Sequence, residues 1–312
     1  RVLLGSRTLR AVPGERSWAE ALRTFRFGFQ VWIGSTLSNV AATMDLVLLG
    51  WILGDGSRLL GYYAVGLMVT QVLAQNLSAV TMVQQRALRR QIGEAGGVGA
   101  EEVALETRRL LGTDAFVGVV FAAATISGAY LVFPPLLPKF VAALPGLGAL
   151  LTSILLIKAR VYTRVILTTA DRPRLAMIAP LVQLGAMAAI YPLVVSGESS
   201  VLVLGLLRMG AFLASSMLEV VLAYAVMGRT RLGLQLAAQL ILGLAPTAVG
   251  FIWVPDLLDH AAASCVGPIL AVAASYVVYN LLFDGSAREG VRMLRQVLRR
   301  VARRRESPAP PR

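Results

Sequence analysis

The chain has 312 residues, of which 56% are hydrophobic and only 15% are charged, and its mean hydropathy is +0.69. A soluble domain carries about a quarter charged residues, so this composition excludes an ordinary water-soluble protein. The formal net charge is +13, and the single cysteine, Cys265, excludes an intrachain disulfide. We therefore expect a membrane protein in which the placement of the charges is informative.

Eight apolar stretches are long enough to cross the hydrocarbon core of a bilayer, which takes about 20 helical residues. Most are uniformly apolar rather than striped, unlike the surface helices of a globular protein. The short alternating segments of an outer-membrane β-barrel are not found. The sequence therefore predicts an all-α, polytopic transmembrane helix bundle of about eight spans, at residues 28–53, 60–85, 113–135, 142–170, 175–196, 199–227, 234–256 and 262–284.

The arginines lie between these spans on alternate sides of the membrane. The leading segment, the connections after the second, fourth and sixth spans and the tail hold 24 arginines, whereas the opposite connections hold only Arg58 and Lys139. Because cytoplasmic loops collect Lys and Arg, both termini are predicted to be cytoplasmic, in a multi-pass protein of a bacterial inner (plasma) membrane. The cations flank spans and form no folded basic domain, so we expect no nucleic-acid partner.

Two segments outside the predicted spans have a helical pattern before the tail. Residues 15–26 form a short amphipathic helix within a cytoplasmic linker, residues 1–26. The connection 86–112 has a glycine-rich, flexible middle, followed by a helix that begins at Glu101 and Glu102. Acidic residues suit a helix N-terminus because they complement its dipole.

The basic tail, residues 286–312, contains a third helix at about residues 287–303. One face of that helix is apolar and arginines surround it; the apolar face comprises Val291, Leu294, Leu298 and Val301. Such a helix binds anionic phospholipids at the membrane surface. The alternative is a tail that sets the topology and has no specific partner.

Two ionisable groups lie deep in the spans, where a charge costs free energy and marks a functional candidate. Asp45 is about 12 Å from the outer end of the first span, and Arg208 is about 13 Å from the outer end of the sixth. The two groups form a direct ion pair, or both face a water-filled cavity. In the second case Arg208 binds an anionic substrate, since a guanidinium matches phosphate oxygens with two parallel hydrogen bonds.

Three further cations, Lys158, Arg160 and Arg164, lie in the inner half of the fourth span. Arg160 and Arg164 share one helix face because they are four residues apart. These side chains snorkel to the cytoplasmic headgroups, or they form a cationic vestibule for a phosphate group. Glu219 lies three turns from Arg208 on the same face, and we expect it at the surface, with proton coupling as the alternative role.

The first two spans are unusually rich in amides and hydroxyls. The second span presents Gln71, Gln75 and Ser78 on one face. The first span adds Ser35, Ser38, Asn39 and Thr43. These groups either hydrogen-bond between helices or line a hydrated cavity.

No set of residues for catalysis is visible. There is no phosphate-binding loop, no HExxH motif and no nucleophile with a base. Cys265 and His260 are too few for a zinc site, and the short loop that holds Asp256, Asp259 and His260 is a thin basis for an active site. We therefore expect no enzyme, no metal and no cofactor.

Three stretches resemble the C-terminal half of a polysaccharide (lipid-linked oligosaccharide) flippase of the MOP exporter superfamily. TMDLVLLGWILGDGSRLLGYYAVGLMV (43–69) combines an intramembrane Asp, a short glycine-containing loop and a G-Y-Y-A helix. ILTTADRPRLAMIAPLVQLGAMAAIYPLVVSG (166–197) resembles the span–basic turn–span unit of the family, although Asp171 stands where Gly is commoner. RFGFQVWIGSTL (26–37) resembles the start of the lobe.

The resemblance implies a division of the chain. Residues 27–230 would be a six-span transporter lobe, residues 231–285 two additional transmembrane helices, and residues 1–26 the linker between two pseudo-symmetric lobes. The start at Arg1 rather than Met would agree with a fragment whose partner is the missing N-terminal lobe of the same protein.

The implied function is the movement of an undecaprenyl-diphosphate-linked oligosaccharide across the membrane by alternating access. Cationic cavity residues would hold the diphosphate. The candidate substrate-binding residues are Asn39, Asp45, Gln71, Gln75, Lys158, Arg160, Arg164 and Arg208.

Three alternatives remain open. The chain is a multidrug or cation antiporter of the same superfamily, which is disfavoured because an antiporter needs a cluster of intramembrane carboxylates and Asp45 is the only deep one predicted. Or it is a lipid II flippase. In a different class, it is a non-transporting membrane scaffold of an envelope-synthesis complex. The scaffold predicts that Arg208 and the face with Gln71 and Gln75 are packed and dry.

Overall fold

The computed structural model describes residues 18–54, 56–195, 199–253, 260–283 and 285–306. This part of the chain is almost entirely α-helical and has no strand, which confirms the predicted all-α bundle. Eight of its helices are long and apolar enough to cross a membrane. The helices are α1 (Trp18–Leu53), α2 (Arg58–Glu94), α3 (Glu101–Leu136), α4 (Leu144–Thr169), α5 (Leu175–Val194), α6 (Val201–Val226), α7 (Thr230–Ala248), α8 (His260–Leu282) and α9 (Ser286–Glu306).

The first three helices are longer than the predicted spans. The prediction of a long connection at 86–112 is wrong, because α2 continues to Glu94. α3 begins at Glu101, as expected, but α3 then continues without a break into the third span. The chain turns within six residues, where Gly96 and Gly97 adopt positive φ angles of 76° and 153°. Glycine is the residue that adopts such angles without strain, so the reversal falls there.

The two ends of the chain are helical where they are described. Residues 18–26, the described part of the predicted amphipathic segment, are the first turns of α1 and not a separate helix. The tail helix is confirmed as α9, with slightly wider bounds than 287–303. The rest of the linker, residues 1–17, and the tail end, residues 307–312, lie outside the described residues.

α4 is the central helix of the bundle. It packs against α2, α3, α5, α6 and α7, and most of its residues are buried. The chain approaches it closely at two glycines. A Cβ on Gly146 would lie 2.5 Å from the Val201 carbonyl oxygen of α6, and one on Gly148 would lie 2.3 Å from the carbonyl oxygen of Phe251, in the π-turn that follows α7.

α1 lies at the edge of the bundle. It packs mainly on α5 and touches α2 only slightly, so much of its surface faces outward. α7 packs on α6, α8 packs on α3, and the two helices also pack on each other. Leu240 of α7 and Tyr279 of α8 belong to the same hydrophobic core as the first six helices. The eight long helices therefore form one continuous body around α4.

One end of the bundle gathers the arginines that the sequence places between spans, and we call it the arginine-rich end. Two ion pairs join sequence-distant segments there: Arg23 with Asp171 at 3.5 Å, and Arg229 with Glu101 at 3.6 Å. α9 is attached there by Arg109 of α3, whose guanidinium donates two hydrogen bonds of 2.5 Å to the Glu289 carboxylate.

The close approach at Gly148 predicts a position-specific loss of stability. Gly148→Ala should cost about 1–3 kcal/mol, because its methyl group would overlap the Phe251 carbonyl and push the turn after α7 away from α4. Thermal unfolding in detergent measures the change.

Gly210→Ala on α6 is the matched control, since a Cβ there meets nothing within 4 Å. Equal melting temperatures for the two variants would contradict the packing described for α4.

Candidate anion-binding cleft

Asp45 and Arg208 form an ion pair that is closed to solvent. The Asp45 carboxylate is fully buried; it accepts hydrogen bonds from Arg208 Nη1, from the Tyr63 hydroxyl at 2.5 Å and from the Leu46 backbone N–H at 3.0 Å. Of the two interpretations given above, the structure shows the direct pair. Neither residue lines the cavities described below.

The remaining donors of Arg208 are also used inside the protein. Its Nε donates to the Ser153 hydroxyl at 3.2 Å, and both terminal nitrogens donate to the Ala42 carbonyl at 3.2 Å. Its guanidinium carbon lies 4.8 Å from the centre of the Phe212 ring. These partners belong to α1, α4 and α6, and Tyr63 of α2 binds Asp45. The ion pair therefore links four helices at one level.

A second polar cluster joins α4 and α6 nearer the arginine-rich end. Glu219 is fully buried, so the expectation of surface exposure is wrong. Its two carboxylate oxygens accept from Arg160 Nε at 2.8 Å and from Arg164 Nε at 3.1 Å, and Thr163 adds a hydroxyl at 3.3 Å. Both arginines therefore turn inward to an acid; snorkelling does not describe them.

This cluster carries one more cation than it has anions. Arg160 also donates to Gln183, at 2.9 Å, and Gln183 in turn donates to the Ala41 carbonyl of α1. The Arg160 Nη2 atom is buried without a partner. Arg164 is the more accessible of the two: its side chain is 28% exposed, and its Nη2 donates to the Ser38 hydroxyl of α1.

A third cluster lies between α2, α3 and α4. Lys158 donates a hydrogen bond of 2.8 Å to the Ser78 hydroxyl of α2 and acts electrostatically on Asp114 of α3. Asp114 is 4% exposed and is the group that the sequence reasoning missed, because it took Asp45 as the only deep carboxylate. The sequence did carry a signal that Asp114 lies in the membrane, since it is one residue inside the predicted third span.

The other candidate residues stay at the surface of the bundle. Asn39 of α1 and Gln71 and Gln75 of α2 are exposed, and the structure does not bring them to Arg208. Their side chains make no interhelical hydrogen bond among the described residues, so the first of the two interpretations given for these amides does not hold within this chain.

A cleft opens between α1 and α2 at the arginine-rich end. The two helices are joined at the far end by the Asp45–Tyr63 hydrogen bond, but towards the arginine-rich end a cavity of about 290 Å³ separates them and reaches α4 and α5. A recess of about 1200 Å³, formed by the start of α1, the α4–α5 turn and the end of α6, adjoins it. The two volumes share Gln30, Thr168 and Pro173 as lining residues.

The lining of this cleft is strongly cationic. Within the part of the chain that the structure describes, six arginines line it and Asp171, which pairs with Arg23, is the one acidic group; the arginines are Arg23, Arg26, Arg89, Arg164, Arg172 and Arg174. Of the cations predicted to form a vestibule, Arg164 alone lines the cleft, while Lys158 and Arg160 lie behind it. The sequence reasoning assigned the other five arginines to topology alone.

The tight turn between α4 and α5 places two of these arginines. Asp171 has a φ of 56°, a left-handed conformation at the end of α4, and the Arg172 N–H then closes the helix by bonding the Leu167 carbonyl at 2.9 Å. Glycine is the usual residue at such a position, and Asp is one of the few others that adopt it, because its short polar side chain can hydrogen-bond locally. The geometry fixes Arg172 and Arg174 at the mouth of the recess.

No family model, no curated protein and no solved structure matches this chain. The site is therefore defined by its own residues: a closed ion pair at the far end, a buried cluster with excess positive charge behind Arg164, and an open arginine-lined cleft. Such an arrangement suits a phosphate-bearing anion, since the guanidinium groups converge on one space.

The closed Asp45–Arg208 pair yields a prediction about stability. Asp45→Asn should destabilise the protein by about 3–5 kcal/mol, because it leaves the Arg208 charge buried without a counter-ion. The double variant Asp45→Asn/Arg208→Gln should recover much of that loss, as measured by thermal unfolding in detergent.

Asp171→Asn is the matched control. It breaks a pair that solvent surrounds and should leave the melting temperature nearly unchanged. A double variant as unstable as the single one would show that the charge of Arg208 is not the source of the loss.

Proposed function

We propose that this chain is a lobe of a membrane transporter of the MOP exporter type, which moves an undecaprenyl-diphosphate-linked oligosaccharide across the membrane for surface polysaccharide export. The observation that carries the proposal is the arginine-lined cleft, which opens at one end of a bundle of membrane-spanning helices. A diphosphate is an anion with several oxygens, and convergent guanidinium groups bind such oxygens in pairs.

The position of the cleft suits an amphiphilic substrate. It lies between α1 and α2, and α1 is exposed along much of its length, with Phe29 and Trp32 among its outward apolar groups. A polyprenyl tail would stay in the lipid beside α1 while its diphosphate entered the cleft. The substrate would not need to pass through the packed core around α4.

The orientation belongs to the same proposal. The start of α1 and the attached α9 both lie at the arginine-rich end, together with the turns that follow α2, α4 and α6. Cytoplasmic loops are the ones enriched in Lys and Arg, so the cleft would open to the cytoplasm, where lipid-linked sugars are made ready for export. Substrate would load there and leave at the far end.

The exposed amides fit a second lobe. Asn39, Gln71 and Gln75 lie within membrane-spanning helices, are exposed, and bind no other helix among the described residues. Polar groups at membrane depth face protein or a water-filled cavity rather than lipid. They would line a central cavity between this lobe and the missing N-terminal lobe of the same protein.

The buried carboxylates bear on the antiporter alternative, and the exposure of the polar surfaces bears on the scaffold alternative. The antiporter was disfavoured on the ground that Asp45 was the only deep carboxylate, and buried Asp114 and Glu219 remove that ground. The scaffold requires two dry surfaces; Arg208 is packed, but the face with Gln71 and Gln75 is open. A transporter accounts for both the cleft and the open polar face, and no enzymatic role is proposed.

Binding of a polyprenyl diphosphate to the purified protein tests the proposal. The double variant Arg89→Gln/Arg174→Gln removes two exposed cleft arginines and should weaken binding by at least about tenfold, because each charge-assisted hydrogen bond to phosphate contributes about 1.5–3 kcal/mol. Translocation in proteoliposomes that contain the full two-lobed protein should fall in parallel.

The control Arg90→Gln/Arg58→Gln removes the same charge from two arginines that do not line the cleft. Equal losses in the two double variants would mean that only overall charge matters, and the cleft would lose its assigned role. Absence of binding in the unaltered protein would favour the scaffold.

The partner proposed for α9 is the anionic lipid surface. Its exposed arginines recur on one helix face, at 288, 292, 295 and 299, while Val291 and Leu294 are half-buried on another. The Glu289–Arg109 pair holds the start of the helix against α3. Since the helix is attached to the bundle, its arginines are presented at a fixed level.

Anionic lipid should therefore stabilise the protein more than zwitterionic lipid does. Replacing Arg288, Arg292 and Arg295 with Gln should remove about 1 kcal/mol of that extra stabilisation per arginine, as measured by thermal unfolding in nanodiscs of the two compositions. The same replacement of Arg86, Arg90 and Arg231, which lie outside α9, should remove less; an equal effect would contradict a specific role for α9.

A further inference from the structure

Asp114 is a buried carboxylate that the proposed function does not use. Its Oδ2 accepts a hydrogen bond from the Thr81 hydroxyl at 3.3 Å, whereas its Oδ1 is buried without a partner. Buried polar atoms are almost always hydrogen-bonded, and a buried anion needs a counter-charge. A buried carboxylate oxygen without a partner therefore indicates a group that protonation would stabilise.

Lys158 is the cation that acts on Asp114, although the two groups form no ion pair: its ammonium donates to Ser78, one helical turn along α2 from the Thr81 that binds Asp114. Lys158 is half-buried, and it lies at i, i+3, i+7 and i+10 with Val161, Val165 and Thr168, which line the smaller cavity. This spacing places the four residues on one face of α4. Lys158 is thus at the deep end of the stripe that forms the wall of the cleft, and Asp114 lies behind it.

The other neighbours of Asp114 are neutral. From α2 the neighbour is Thr81. From α4 it is Tyr162, whose hydroxyl donates to the Gln84 side chain and also lies within hydrogen-bonding reach of the Asp114 carboxyl. α8 and α9 pack on the same stretch of α3 through Phe283 against Gly112 and Ser286 against Thr113. The charged side chain of α9 in this region, Glu289, is paired with Arg109, so among the described residues Lys158 is the cation that acts on Asp114.

We propose that Asp114 and Lys158 form a proton-binding site at the deep end of the cleft. With the Lys158 ammonium on Ser78, close to the Thr81 that binds Asp114, the carboxylate is an anion and the two charges balance. When the ammonium turns towards a second anion in the cleft, Asp114 loses its counter-charge and takes a proton from solvent, so that the carboxylate becomes a neutral carboxylic acid. The proton is the only species transferred.

This site names the coupling ion of the proposed transporter, and in that respect it rests on the proposed function. Binding of a diphosphate and uptake of a proton would each promote the other, since both withdraw Lys158 from Asp114, and such coupling is reciprocal. The second anion would compensate the charge of Lys158, and the proton would neutralise Asp114, so neither group would be left as an uncompensated charge in the membrane.

Infrared difference spectroscopy of the full chain in lipid membranes tests the site without any substrate. Acidification should produce a carboxylic-acid C=O band that Asp114→Asn abolishes. Lys158→Met removes the counter-charge while keeping the length of the side chain, so the same band should already be present at neutral pH. Glu94→Gln, which removes an exposed carboxylate at the end of α2 that does not line the cleft, should leave the band unchanged.

A band that persists in Asp114→Asn, or a titration that Lys158→Met leaves unaltered, would overturn the site. The coupling has its own measurement: addition of polyprenyl diphosphate to the protein in weakly buffered medium should cause proton uptake, and Asp114→Asn should lose it. Diphosphate binding without proton uptake would overturn the coupling, whereas a titrating Asp114 with no diphosphate binding would refute only the proposed function.

Discussion

The charged side chains of α4 need partners on other helices, because the hydrocarbon core of a bilayer offers no water. α4 carries Ser153 near its middle, Lys158 and Arg160 about a turn and a half further along, and Arg164 one turn beyond those. Ser153 binds Arg208 of α6, Lys158 binds Ser78 of α2, and the two arginines share Glu219 of α6, so contacts at several levels fix the rotation and the axial position of the neighbouring helices. Apolar packing alone would specify this less sharply, since lipid tails compete with it on nearly equal terms.

The two levels of α4 differ in charge and in access. At the far level the Asp45–Arg208 pair is neutral and sealed, and it closes α1 against α2. At the near level two arginines share Glu219, so one positive charge remains and Arg164 is partly exposed. In the proposed transporter, helices fastened at one end and separated by a charged space at the other would hold an anion on one side of the membrane only.

Hydropathy was sufficient to predict the spans, and helix geometry was sufficient to place Asp45 and Arg208 at a common depth. What the sequence could not supply is which helices adjoin. Glu219 was taken for a surface group because its partners, Arg160 and Arg164, are separated from it by more than 50 residues and become neighbours only when α4 packs on α6. The cleft was missed for the same reason: its lining comes from α1, α2, the α4–α5 turn and α6, and arginines at span ends look alike until those segments meet.

The long sequence separation between Asp45 and Arg208 also constrains how the protein is made. The two residues are 163 positions apart, so at a synthesis rate of about 5–20 residues per second the Asp45 carboxylate exists for about 10–30 s before its guanidinium is translated. The cations of α4 wait for Glu219 in the same way. A charged helix left alone in lipid is unfavourable during that interval, so α1 and α4 would have to be retained beside the insertion machinery until α6 emerges, and integration of the first six helices becomes a collective event.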